Sequence, residues 1–130
     1  MAAPPETVWT IVVAAGSGQR FGGLKQFSEL GSRRMVDWAV EAAARASAGV
    51  VVVVPAEQIS DPAFEVPRGA TAVVAGGSTR SESVRRGLAA VPVGVDIVCV
   101  HDAARPLASV ELFAAVIATI SQKGVDAVVQ

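Results

Sequence analysis

Five apolar runs punctuate the chain, separated by stretches with helical periodicity. The first covers residues 8–14 and is broken by A-G-S-G-Q-R. The second, 50–54, is an unbroken run of valines closed by Pro55. Residues 71–75 end at Gly76-Gly77, residues 95–100 end at His101-Asp102, and residues 125–129 form the last run. Continuous rather than alternating apolar runs predict strands buried on both faces. Between them, residues 35–46 predict a helix with Met35, Trp38, Ala39, Ala42 and Ala46 on its apolar face. Residues 79–90 open with Thr79-x-x-Glu82, the spacing of a capping box, and place Val84 and Leu88 inward. Residues 109–122 repeat Val110, Phe113, Val116, Ile117 and Ile120, with Ser109 as N-cap and Gly124 as stop. Residues 56–69 hold Pro62 and Pro67 and leave room for one short helix.

Strands alternating with helices predict an α/β fold with a mostly parallel sheet and right-handed crossovers. Three polar clusters, at 14–25, 76–80 and 101–106, each follow a strand. That places all of them at the carboxyl ends of the sheet, where open α/β sheets bind ligands beside the topological switch point. No repeat or linker divides the chain, so residues 1–130 are read as a single α/β domain.

Composition narrows the function. The 130 residues include 24 alanines and 24 valines, side chains that suit helices packed close against buried strands. A net charge of −1 argues against nucleic acid as a partner. One Cys excludes an internal disulfide framework, and one His leaves little room for a His-based metal site. No apolar run approaches the roughly 18 residues a membrane span needs. Residues 1–7 carry no basic charge and residues 8–15 are short for a signal sequence, so the expected location is the cytoplasm.

The first cluster reads V-V-A-A-G-S-G-Q-R-F-G-G-L-K-Q. Gly16, Gly18, Gly22 and Gly23 let backbone N–H groups approach an anion, and Arg20 and Lys25 add two cations to the same loop. No G-K-[ST] follows, so it is not a Walker A loop. Phe21 interrupts the dinucleotide fingerprint. A strand–helix turn with solvated charges is the competing reading. Lys25, one of two lysines in the chain, favours a phosphate cradle.

The second cluster, A-G-G-S-T-R-S-E-S-V, leaves a strand through Gly76 and Gly77 and opens a helix at Ser78 or Thr79. Free N–H groups at a helix start attract anions. Thr79 and Glu82 are read as capping residues. Gly77 and Ser83 either line a pocket or belong to a plain glycine turn, and Arg80 and Ser83, three apart, are expected on one helix face.

In the third cluster, V-C-V-H-D-A-A-R-P, Asp102 is placed to hold a divalent metal on ligand phosphates. Arg105 suits a second anion, and a local Asp102–Arg105 ion pair is the alternative. His101 is read as packed, Cys99 as buried and inert, and Trp9 and Trp38 as packing residues.

Together, A-A-G-S-G-Q-R with L-K-Q-F, A-G-G-S-T-R-S-E-S-V and V-H-D-A-A-R-P resemble the 2-C-methyl-D-erythritol 4-phosphate cytidylyltransferase family in order, spacing and strand context. The G-x-G-x-R loop is common to nucleotidyltransferases, whereas H-D-A-A-R-P with G-G-x-x-R-x-x-S-V is far more specific. The resemblance implies a Rossmann-like sheet with helices on both faces, and CTP with Mg²⁺. It also implies transfer of CMP to a sugar-alcohol phosphate of non-mevalonate isoprenoid synthesis, with release of pyrophosphate. By the same resemblance Arg20 and Lys25 are catalytic. Ala14, Ala15, Gly16, Ser17 and Gly18 form the nucleotide loop, and Gly77 and Ser83 contact the cytosine or ribose. Asp102 lies near the metal and Ala103 near the ribose, with Arg80 and Arg105 in supporting roles. A homodimer is implied as well.

Leu24 stands where the family has proline before the loop lysine, and the step from Arg20 to Lys25 is short. Family members continue past the position of Gln130 with an acceptor segment and a dimer arm, so this chain is expected to be truncated relative to the family. Ribitol-5-phosphate cytidylyltransferase and a non-catalytic nucleotide-binding module are the competing functions.

Overall fold

A computed structural model describes residues 7–15, 29–30 and 33–103. Chain order is β1 (Val8–Val13), β2 (Glu29–Leu30), β3 (Arg33–Arg34), α1 (Met35–Ala46), β4 (Gly49–Val54), α2 (Ala56–Ser60), β5 (Ala72–Ala75), α3 (Arg80–Ala89) and β6 (Ile97–Asp102). Four strands form one parallel sheet in the order β5-β4-β1-β6, and β2 and β3 pair antiparallel. The expected α/β class, with a parallel sheet and helices on both faces, is what the structure has. The predicted helix 109–122 and strand 125–129 lie outside the described residues. Among the described residues no helix is long and apolar enough to cross a membrane.

The valine run explains the layering. Every residue of β4 is buried. Successive side chains of a strand point to opposite faces. Val50, Val52 and Val54 pack with Val36, Ala39, Val40 and Ala43 of α1. Val51 and Val53 pack with Ile11 and Val13 of β1 and with Val84 of α3 on the other face. Each fully buried valine contributes on the order of 1.5–3 kcal/mol, an upper estimate because unfolded chains already bury some surface.

The inward faces of both long helices match the expected ones only in part: Ala39 of α1 is buried and Val84 of α3 packs against the sheet, while other positions differ. In α1 the buried residues are Val36, Ala39, Val40 and Ala43, while Met35, Trp38, Ala42 and Ala46 are half-buried. The spacing 36, 39, 40, 43 follows the helical period closely, and its small side chains fit a valine-lined sheet. In α3 the buried residues are Ser83 and Gly87. Val84 is half-buried and Leu88 is 45% exposed. The cause is close approach. A Cβ on Gly87 would lie 2.7 Å from Ile11 Cγ2 and 3.0 Å from Val53 Cγ2, so only glycine lets the helix sit this near the sheet.

Turns tie the layers together. Thr10 Oγ1, fully buried in β1, shares a 2.6 Å hydrogen bond with Ser47 Oγ just past α1. At the start of α1 the Asp37 carboxylate accepts from the Arg34 amide at 3.2 Å and from its guanidinium at 2.8 and 2.9 Å. A guanidinium cannot accept in return, so this cap is one-sided. Trp9 packs as expected, its indole filling the space where a Cβ on Gly49 would stand. The short helix expected within 56–69 is α2, and the β2–β3 pair is too short to leave a periodic signal.

The strand expected at 95–100 is displaced to Ile97–Asp102. Gly94, at φ +93°, turns the chain, and Thr7 O then accepts from the amides of Asp96 and Ile97 at 3.0 Å. Pairing continues as far as β1 provides partners, so His101 opposes Val12 and Asp102 opposes Val13.

Candidate functional site

The chain runs outward from β1 to β4 to β5, then returns to the other side of β1 as β6. This reversal makes the carboxyl ends of β1 and β6 the topological switch point. Residues from all three clusters meet along this edge. Ala14 N–H donates to Val53 O at 2.7 Å, Gly76 N–H to Val54 O at 2.7 Å, and Ala103 N–H to Val13 O at 2.9 Å. Ala14 and Ala103 are buried in the core cluster facing α1, so their methyl groups serve packing. Asp102, half-buried, ends β6 on one side of β1, and the Gly76–Gly77 turn leaves β5 toward the other.

The second cluster folds onto the first. A Cβ on Gly76 would overlap the Ala15 methyl and come within 2.8 Å of Ser83 Oγ. Glycine is therefore required where the β5 turn passes the end of β1. Ser83, 1% exposed, accepts from the Gly77 amide through Oγ at 3.0 Å. Arg80 and Ser83 both lie in α3, three positions apart as expected, but Arg80 at the first turn is exposed while Ser83 is buried. Ser83 fills the helix–sheet interface, and its partner is backbone.

Thr79 is the N-cap of α3, its Oγ1 accepting from the Glu82 amide at 3.0 Å. The Glu82 carboxylate reaches to Ser78, taking its amide at 3.3 Å and its hydroxyl at 3.1 Å. Arg86 completes the network, donating to Glu82 Oε1 at 2.9 Å and to the Gly76 carbonyl at 3.2 Å. The Ser78 hydroxyl, then its amide, and then Arg86 hold the Glu82 carboxyl below the ordinary carboxylate range. Sequence reasoning missed Arg86. The spacing of Glu82 and Arg86 signals an ion pair, but no local pattern signals a contact with a carbonyl ten residues back.

His101 is buried, and so is Cys99, whose thiol burial pushes up. Both agree with packing roles. Among the described residues no three His, Cys, Asp or Glu side chains cluster to hold a metal by themselves. A groove of about 720 Å³ between α1 and residues 65–69, lined in part by Arg34, Glu41 and Arg68, contains none of the candidate residues. Gly16, Ser17, Gly18, Arg20, Lys25 and Arg105 lie outside the described residues.

The family model for 2-C-methyl-D-erythritol 4-phosphate cytidylyltransferase, IspD, matches residues 8–130. The chain belongs to this family. It is 42% identical over 124 residues to the bifunctional enzyme IspD/IspF of Dinoroseobacter shibae, covering 92% of this chain and 31% of that protein. It is 43% identical over 129 residues to the 2-C-methyl-D-erythritol 4-phosphate cytidylyltransferase of Streptomyces avermitilis, covering 92% and 51%. The chain thus spans about half or less of the length of these IspD relatives. Among solved structures, 4-diphosphocytidyl-2C-methyl-D-erythritol synthase of Anaerococcus prevotii superposes with a TM-score of 0.71 at 26% identity, over 90% of this chain and 52% of that one. The manganese complex of Rv0371c from Mycobacterium tuberculosis shares the fold alone, at 16% identity and a TM-score of 0.68, over 87% and 59%.

Proposed function

We propose that residues 1–130 form one nucleotide-binding α/β domain, the CTP-binding part of an enzyme that transfers CMP to 2-C-methyl-D-erythritol 4-phosphate. The observation that carries this reading is the convergence at the switch point. Ala14 and Ala15 lie at its centre, Asp102 and Ala103 flank them on one side, and Gly77 and Ser83 come in from the other. A phosphate oxygen of the acceptor attacks the α-phosphorus of CTP, one P–O bond forms, and the bond to pyrophosphate breaks. This transfer requires charge neutralisation and alignment rather than a proton base. A family with Arg and Lys on a glycine loop and a packed His101 suits it.

Each residue then has a role. Ala14, Ala15, Gly16, Ser17 and Gly18 cradle the nucleotide through backbone. Arg20 and Lys25 stabilise charge growing on the α-phosphate. Gly77 sits on the cytosine or ribose side, its amide held by Ser83, and Ala103 lies by the ribose. Arg80 and Arg105 add positive potential around the phosphates.

Asp102 fits a divalent cation, and Mg²⁺ in particular. That ion is commonly held by one or two carboxylates with substrate phosphates supplying other oxygens. A carboxylate at a strand end, with no cluster of three metal-ligating side chains among the described residues, matches that donor set better than it matches a metal cage built from protein alone. The cation neutralises phosphate charge when bound, while Asp102 supplies the protein anchor. The reading carries a homodimer as the working assembly and the cytoplasm as the place where CTP is met.

Pyrophosphate release from CTP, measured with methylerythritol phosphate and separately with ribitol 5-phosphate, tests the proposal. Release with the first acceptor and not the second is the expected result. Release with ribitol 5-phosphate alone would reassign the acceptor. CTP binding without release in either arm leaves this chain a nucleotide-binding module.

A further inference from the structure

We propose that Glu82 and Arg86 of α3 are positioning residues that set the backbone of the Gly76–Ser78 turn for nucleotide binding. The inference rests on the CTP-binding reading and adds to it two residues that touch no ligand. Gly76 C=O and Gly77 N–H belong to a single peptide plane. Arg86 holds the carbonyl end at 3.2 Å and Ser83 Oγ holds the amide end at 3.0 Å. Glu82 holds the Ser78 amide of the following plane at 3.3 Å. In a trans peptide the carbonyl points opposite to the amide, so this bond also turns the Gly77 carbonyl away from Glu82. A Cβ at position 77 would collide with the Glu82 side chain, which therefore lies directly over the turn. Arg86 in turn braces Glu82 at 2.9 Å. Two consecutive peptide planes are thus oriented by three side chains on the first two turns of one helix.

Burial separates this role from a structural one. The Arg86 and Glu82 side chains are 50% and 33% exposed, and exposed ion pairs add little to stability. An effect on the turn without an effect on folding is the signature of positioning.

Arg86→Ala, Glu82→Ala and Arg86→Lys in the full chain test this, with three readouts. Amide hydrogen exchange at Gly77 and Ser78 should accelerate by about tenfold in both alanine variants, as local opening becomes easier. CTP affinity, measured by calorimetry, should fall by about tenfold, because misplaced groups bind poorly. The melting midpoint should move by less than about 4 °C, the range an exposed pair commands. Arg86→Lys keeps a donor but not the fork, and should recover part of the affinity. Unchanged exchange at Gly77 and Ser78 overturns the inference whatever CTP does, and so does unchanged CTP affinity in the alanine variants. A wild-type chain that fails to bind CTP overturns the CTP reading instead, and exchange then decides on the brace alone.

Discussion

Val13 and Asp102 are register partners at the carboxyl ends of two adjacent parallel strands. They are 89 residues apart in the chain, yet the pairing puts the only carboxylate of the H-D-A-A-R-P motif beside the point where β1 leads into the glycine loop. The sheet, rather than a turn, sets where Asp102 stands. A backbone held by strand pairing has little freedom to drift, which suits a residue that must meet a ligand at a fixed place.

Asp102→Asn should weaken CTP binding in the presence of Mg²⁺ and leave metal-free binding nearly unchanged. The substitution preserves shape and removes the hard anionic oxygen that a cation on the phosphates uses. Calorimetric titration with and without Mg²⁺ checks this. Equal metal dependence in the two proteins would leave Asp102 with a structural role.

Arg20→Ala and Lys25→Ala, made in a complete enzyme carrying this loop, should each lower kcat by roughly a hundredfold, about 3 kcal/mol. CTP affinity should fall far less, because loop amides still bind the phosphates and the cations act on charge that grows in the transition state. Steady-state kinetics separates the outcomes. A rise in KM alone would place both side chains in ground-state binding, and changes below about twofold would mark them as solvated charges.

Gly87→Ala sets two effects against each other. Alanine improves helix propensity by about 1 kcal/mol. Its Cβ, however, would press on Ile11 Cγ2 at 2.7 Å and Val53 Cγ2 at 3.0 Å, both on buried strand residues. Overpacking of this kind costs about 1–3 kcal/mol. The steric term wins, so urea unfolding should shift to a lower midpoint with the slope unchanged. Leu88→Ala, at a position 45% exposed, should cost less than truncation of a core leucine.

Cys99 should resist thiol reagents in the folded protein and react once it unfolds, because burial disfavours its thiolate. The same burial gives a pH dependence. The folded thiol titrates above its unfolded counterpart, so the stability linked to it is fully present below the unfolded value, about 8.5. It is lost as pH rises through the folded value. Urea unfolding at neutral and at alkaline pH should therefore show a larger alkaline loss for the wild type than for Cys99→Ala. An equal loss would mean that the thiol is not desolvated.

Local pattern alone determined a good part of this protein. The valine run at 50–54 reads directly as a strand covered on both faces, because no exposed strand keeps five valines in a row. The boundaries of α1 and the cap at Thr79 follow from chemistry within a few residues of chain. The motifs identified the family because their residue types and spacing survive without any knowledge of the fold. Tertiary contact decided the rest. Which face of α1 and α3 turns inward depended on the shape of the sheet they meet, and a valine-lined surface selected small residues over Trp38 and Leu88. The reach of β6 to Asp102 depended on how far β1 extends, and no residue of β6 records that. The brace from Arg86 to the Gly76 carbonyl exists only because α3 lies close enough to the sheet for Gly87 to touch Ile11. Such contacts join residues far apart in sequence, and hydrophobic periodicity, a local property, carries no trace of them.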